Sequence, residues 1–287
     1  MTLTLSAFAD EAADAGDAQI AALQRAGIGH IDLRSVAGVN ICDLPVEDAN
    51  ALKAQLDNAG IRVGMYGSPI GKTDLDDDLQ IELDRLDHLA QLQEVFEANA
   101  VRMFSFYDKS QRETSERERL TLDRLAALRG RASVLGLKLY HENETDVFGD
   151  HPDDVLKLAA LRDDASFGLI YDFANYLRTG AEPMATWKQL GPVTDALHFK
   201  DQTRSGDHVP MGQGDTCCPA ILAQAVASGW SGPCTLEPHL YMSEAVRATN
   251  VHGQGDPALA KLSRGDIFQV AAEAVQALIA EAGRRAE

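Results

Sequence analysis

The chain has 287 residues, 45% of them hydrophobic, and a formal net charge of −18 from 44 acids against 26 lysines and arginines. That length buries a large core in one big domain or two small ones, and so acidic a surface repels nucleic-acid phosphates and anionic lipid. The partner to expect is a small molecule, a metal cation or another protein, with neither nucleic acid nor membrane.

Short apolar runs alternate with longer amphipathic stretches from one end to the other. The predicted strands are LTLSAFA (3–9), GHIDLR (29–34), IRVGMYG (61–67), VRMFSFY (101–107), LKLYHE (137–142), FGLIYD (167–172), DALHFK (195–200) and PCTLEP (233–238). Helical patterns such as DAQIAALQRAG, VEDANALKAQLDNAG and LQIELDRLDHLAQLQEVFEAN lie between them, several closed by a glycine, the usual helix-stop signal. The acidic run TDLDDDLQIELD lacks the glycine of a calcium loop and reads as an acid-rich helix start. IFQVAAEAVQALIAEAG follows the eighth strand as a final helix. Eight strand-then-helix units in this length predict a single (β/α)8 TIM barrel spanning 1–287, with an extended loop at about 240–264. An open doubly wound sheet would carry a glycine fingerprint after its first strand, and SAFADEAADAG has none.

Cys42, Cys217, Cys218 and Cys234 form no CxxC pair and read as thiols in a reducing compartment. The N-terminus lacks a basic region followed by a long apolar stretch, and no run approaches the roughly 18 apolar residues of a membrane span. A cytoplasmic protein is the expectation.

Functional groups of such a barrel stand at the C-terminal ends of its strands. Counting five positions from Leu137, Phe167, Val193 and Gly232 reaches Glu142, Asp172, His198 and Glu237. Neighbouring parallel strands lie about 4.8 Å apart, so four side chains pointing inward at one level converge. Three carboxylates and one imidazole suit one divalent ion, with Mn²⁺ first and Co²⁺, Mg²⁺ or Zn²⁺ as alternatives. Burying three carboxylates without a cation is costly. Glu144 shares the parity of Glu142 but stands higher, at the rim, whereas His141 and Asn143 have the opposite parity.

The segments YHENE…FGDHP, YDFANY, HFKD and TLEPHL, with SAFADE and GIGHIDLRSVAGVNICDL nearer the N-terminus, resemble the sugar (phosphate) isomerase/epimerase family with the xylose-isomerase-like TIM barrel. That resemblance implies that Glu142, Asp172, His198 and Glu237 bind one catalytic metal, and that Glu142 and Glu237 are the proton-transfer pair. It implies a divalent-metal-dependent isomerase or epimerase of a small sugar, keto-sugar or sugar derivative, working through an enediolate held on the metal. An inosose-dehydratase-like lyase at the same site is the alternative, and a homodimer or homotetramer is implied as well.

Six further residues are candidates for substrate binding. Lys200 shares a face with His198. Arg204 matches a substrate-binding arginine of the family's ketose 3-epimerases, whereas Asn175 stands where those enzymes carry a histidine. Arg34 ends the second strand, His208 precedes VPMGQGD, and His239 follows Glu237 by two residues. An abasic-site endonuclease would need more metal-binding histidines and a basic face. A non-catalytic sugar- or metal-binding barrel is the remaining reading.

Overall fold

The eight apolar runs become eight parallel strands: β1 Thr4–Ala7, β2 His30–Leu33, β3 Arg62–Tyr66, β4 Ala100–Met103, β5 Lys138–Glu142, β6 Phe167–Asp172, β7 Ala196–Phe199 and β8 Pro233–Leu236. Each strand pairs with its neighbours in chain order, and β8 returns to β1, closing a (β/α)8 barrel. The computed structural model describes residues 3–163, 165–241 and 257–286.

The helices are α1 Gly16–Ala26, α2 Val46–Ala59, α3 Gln80–Phe96, α4 Thr114–Leu135, α5 Pro152–Leu158, α6 Phe173–Arg178, α7 Pro183–Leu190, α8 Cys218–Ala227 and α9 Arg264–Ala286. Each long helix buries one stripe. In α2 it is Ala49, Leu52 and Leu56, and in α4 it is Thr121, Leu125, Leu128 and Ala132, the three-and-four spacing of a single helix face. Gly27, Gly60 and Gly136 end α1, α2 and α4 in left-handed conformations, as their places in the sequence predict.

Helix and sheet faces share one large apolar core outside the barrel. A second, small cluster of Met65, Tyr140, Ile170 and Ala196 is separate from it. Tyr140, Ile170 and Ala196 each precede a candidate ligand by two residues, so they face the same way and form the floor beneath the site.

Two expectations need correction. The fourth strand stops at Met103 rather than continuing to 107. Beyond it Phe104, Phe106 and Tyr107 donate backbone N–H groups to Ile70, Gly71 and Thr73 in the loop after β3. Gly71 permits that approach, since it has φ +81° and a Cβ there would lie 2.1 Å from the Phe104 carbonyl oxygen. The acidic run opens the helix only with its second half, where Asp78 Oδ1 accepts from Gln80 N and Glu82 lies in the first turn. α3 starts at Gln80, and the preceding aspartates hold turns, with Asp74 accepting from the backbone of Asp76 and Lys109. The extended loop at 240–264 lies mostly outside the described residues. Among the described residues no helix is long and apolar enough to cross a membrane.

Candidate metal centre

Glu142, Asp172 and His198 sit at the C-terminal ends of β5, β6 and β7, and Glu237 directly follows β8. One atom from each of the four lies within 4.8 Å of all the others. The strands are not flush, contrary to the simple register count. Glu142 stands opposite Ile170, Asp172 opposite His198, and His198 opposite Thr235. Glu142 and Glu237 are therefore each displaced by one inward-facing step, the stagger that barrel closure imposes. Parity survives because every offset is even.

All four side chains are buried. His198 Nδ1 lies 3.2 Å from Glu142 Oε1 and 3.1 Å from Glu237 Oε2. Burial opposes an imidazolium there, but the Glu142 and Glu237 carboxylates outweigh it and push His198 up to about 9. Asp172 moves up to about 7, chiefly through burial, with Lys200 opposing and both glutamates adding to the rise. Glu237 is held well below the usual carboxylate range, because Lys200, His198 and His239 outweigh the cost of its burial. The cluster thus retains protons when it has only side-chain partners, and a divalent cation would take their place. Glu142 Oε2 is buried and makes no hydrogen bond, with Arg102 Nη1 facing it at 3.4 Å. That atom and the donor set of three carboxylates and one imidazole fit one hard or borderline divalent ion.

Local chemistry positions these groups. Asp172 caps α6 by accepting from the backbone N–H of Asn175 at 2.8 Å. The Asn143 side chain spans the gap to β6, accepting from Asp172 N at 2.8 Å and donating to the Asp172 carbonyl at 3.1 Å. Asn175 Nδ2 donates to the Asn143 carbonyl at 2.8 Å, so the amide nitrogen of this candidate substrate contact is engaged in holding the ligand strands together.

The remaining candidates fall in different places. Lys200 is buried with Nζ 3.0 Å from Asp172 Oδ2 and 3.9 Å from Glu237 Oε2. Arg34 is also buried, forking onto Asp10 at 2.8 and 2.9 Å and reaching Glu237 Oε1 at 3.1 Å. His239 Nε2 lies 3.3 Å from Glu237 Oε1, and the His208 ring meets the His239 ring edge-on at 5.4 Å. Arg204 stands apart: it is exposed and pairs with Glu182 at 3.2 Å. Glu144 is buried against Lys72 at 2.9 Å, and His141 turns to Ser105 Oγ at 2.9 Å.

Two residues of the site escaped the sequence reading. Arg102 on β4 reaches both glutamates, and its guanidinium also lies 4.8 Å from the Phe8 ring centre. Phe8 presents its ring to Arg34 at the same distance and meets His198 edge-on. The signal for Arg102 was an arginine inside an otherwise apolar strand run. Phe8 carried none, since an aromatic residue at a strand end is ordinary core.

The chain belongs to the xylose isomerase-like TIM barrel family, whose model matches residues 20–252. No curated protein matches it. Among solved structures it is similar to an IOLI protein with a bound zinc atom, at 15% identity and TM-score 0.76, covering 97% of this chain and 99% of that one. It is similar to L-ribulose 3-epimerase at 14% identity and TM-score 0.74, covering 99% and 96%. It also resembles a probable 3-DHS dehydratase, AsbF, from Bacillus anthracis, at 14% identity and TM-score 0.70, covering 96% and 99%. At these identities the likeness establishes the fold.

Proposed function

We propose that this chain is a divalent-metal-dependent isomerase or epimerase of a small sugar, keto-sugar or sugar derivative. The observation that carries the reading is the convergence of Glu142, Asp172, His198 and Glu237 within 4.8 Å, from four separate strands. Asp172 and His198 hold the ion, and Glu142 and Glu237 both hold it and exchange the proton. A bound divalent ion supplies Lewis acidity, polarising a carbonyl and acidifying the adjacent C–H. The donor set favours Mn²⁺, with Co²⁺, Mg²⁺ or Zn²⁺ as alternatives; the similar IOLI structure contains zinc.

The rest follows from the chain's own side chains. The glutamates approach His198 Nδ1 through different oxygens and from different strands. In this reading one of them takes the proton from the substrate and the other returns it. Lys200, buried and cationic beside Asp172, steadies negative charge developing on a substrate oxygen. Burial of the whole set excludes bulk water, which strengthens these interactions. The fold shared with L-ribulose 3-epimerase supports the reading.

Incubating the Mn²⁺-loaded protein with ketoses and aldoses in D₂O tests it. Deuterium should enter an isomerised or epimerised product, and E142Q and E237Q should abolish the exchange. A second reading, a lyase that expels a β-hydroxyl, is favoured by Lys200, whose buried ammonium would stabilise negative charge on the departing oxygen. The fold shared with the probable 3-DHS dehydratase fits it as well. A product lighter by one water would select the lyase.

A further inference from the structure

His208 and His239 stand beside the proposed metal centre, and the metal-binding and proton-transfer roles leave both unused. His208 lies in a short antiparallel ladder after β7, where Gln202 pairs with His208 and Asp201 with Val209. One carboxylate pins that loop. Asp201 accepts from the backbone of Gly212 at 2.8 Å and Gly214 at 3.0 Å, and from Thr216 Oγ1 at 2.7 Å. Gly214 has to be glycine for this, because a Cβ there would lie 2.2 Å from Asp201 Oδ1. His239 is fixed equally firmly. It takes φ +50°, uncommon for a side chain of this size, and its N–H donates to Glu11 Oε2 at 2.8 Å.

Two separately anchored loops thus bring two imidazoles edge to face, with ring centres 5.4 Å apart. Both residues are at most 1% exposed; among the described residues neither ring nitrogen of His208 nor His239 Nδ1 has a hydrogen-bond partner, while His239 Nε2 faces Glu237 Oε1 at 3.3 Å. Buried polar atoms almost always have partners, so these nitrogens call for one that the described side chains do not supply.

We propose that His208 and His239 form a hydrogen-bonding wall of the substrate pocket that takes two neighbouring uncharged hydroxyl groups of the substrate. This inference rests on the sugar-binding reading of the metal centre and specifies its substrate. Each of the two adjacent rings keeps at least one unpartnered nitrogen for a hydroxyl, so together they match a vicinal diol. The wall is poorly suited to a phosphate or carboxylate. Among the described residues, the cations facing it are matched by acids: Arg34 by Asp10, Glu11 and Glu237, Lys200 by Asp172, and Arg178 by Glu144. An anion there would also meet the Glu237 carboxylate, which lies 3.3 Å from His239 Nε2. Burial, with His239 and Lys200 nearby, keeps His208 uncharged, its pKa lowered to about 2. The end of the substrate lying against this wall is therefore an unmodified polyol.

Calorimetric titration of the Mn²⁺-loaded full chain tests the proposal, with a panel of free ketoses and inositols and their monophosphates as probes. At least one free polyol should bind, and more tightly than its phosphate ester. H208F should weaken that binding by about 10-fold or more, while H208N, which retains one donor and one acceptor, should stay within about 3-fold of the parent. Mn²⁺ affinity should be the same in all three proteins, which separates this wall from the metal centre. Tighter binding of the phosphate esters, no polyol binding by the loaded protein, or equal binding by H208F would each overturn the proposal. Failure to bind Mn²⁺ would instead defeat the metal-centre reading on which it rests.

Discussion

Arg102 Nη1 lies 3.4 Å from Glu142 Oε2 and 3.5 Å from Glu237 Oε1, so one guanidinium bridges the two proposed proton-transfer groups. The three side chains are at most 4% exposed. A buried carboxylate pair that loses its cation has no solvent to turn to. Arg102→Met should therefore cost about 3–5 kcal/mol of stability in the metal-free protein. Mn²⁺ should restore more of the melting temperature in this variant than in the parent, because the ion supplies the missing positive charge. Thermal melts with and without Mn²⁺ check this, and equal metal-induced shifts would count against it.

Metal binding should depend steeply on pH. His198, raised to about 9, and Asp172, raised to about 7, both bind protons in the pH range where a metal needs them bare. Because both values are raised, protonated forms dominate at low pH, and the competition relaxes as pH climbs through about 7 and then about 9. Mn²⁺ affinity should rise by about tenfold or more per pH unit between pH 6 and 9 and level off above that. Titrations in several buffers would also register proton release. A flat affinity across this range would contradict the assignment of His198 as a ligand.

The two glutamates should be separable from the two holders by kinetics. Glu142→Gln and Glu237→Gln keep side-chain shape and one ligating oxygen but remove the base, so kcat should fall by about 10²–10⁴-fold even at saturating Mn²⁺. Asp172→Asn should chiefly raise the Mn²⁺ concentration needed for activity, with kcat largely restored once metal is in excess. If E142Q and E237Q turn over normally on an identified substrate, the proton-transfer assignment is wrong.

Asn143 should prove structural rather than chemical. Its amide pairs with both backbone groups of Asp172, and its own carbonyl accepts from Asn175. Asn143→Ala strands two buried backbone groups, at about 1–3 kcal/mol each. Chemical denaturation should show a loss of about 2–5 kcal/mol, and Mn²⁺ affinity should drop because Asp172 is no longer held in place. A variant as stable as the parent would refute this.

The contrast between Asp172 and Arg102 shows what the sequence made legible. Asp172 closes an apolar strand run and starts a new helical pattern, so strand parity and chain order were enough to place it with Glu142, His198 and Glu237. Their staggered levels were not readable, because the shear of a closed barrel depends on all eight strands at once. Arg102 was missed for a related reason. The run VRMFSFY suggested one long strand, but its second half leaves β4 to pair with the loop around Gly71. The charge at its second position has meaning only once β4 and the strands bearing Glu142 and Glu237 enclose a common interior. Arg204 shows the converse: its match to a substrate-binding arginine of the family's ketose 3-epimerases suggested a substrate contact, while its loop carries it outward to Glu182.

The central claim is that one divalent ion sits among Glu142, Asp172, His198 and Glu237. A second group, Glu11, Glu237 and His239, also clusters within 4.8 Å, but Arg34 already lies against both of its acids. Anomalous diffraction from crystals of the protein soaked in Mn²⁺ distinguishes the two directly. A single anomalous peak bounded by Glu142, Asp172, His198 and Glu237 is expected. A peak between Glu11 and His239 with none at the first site, or no peak at either, would contradict it.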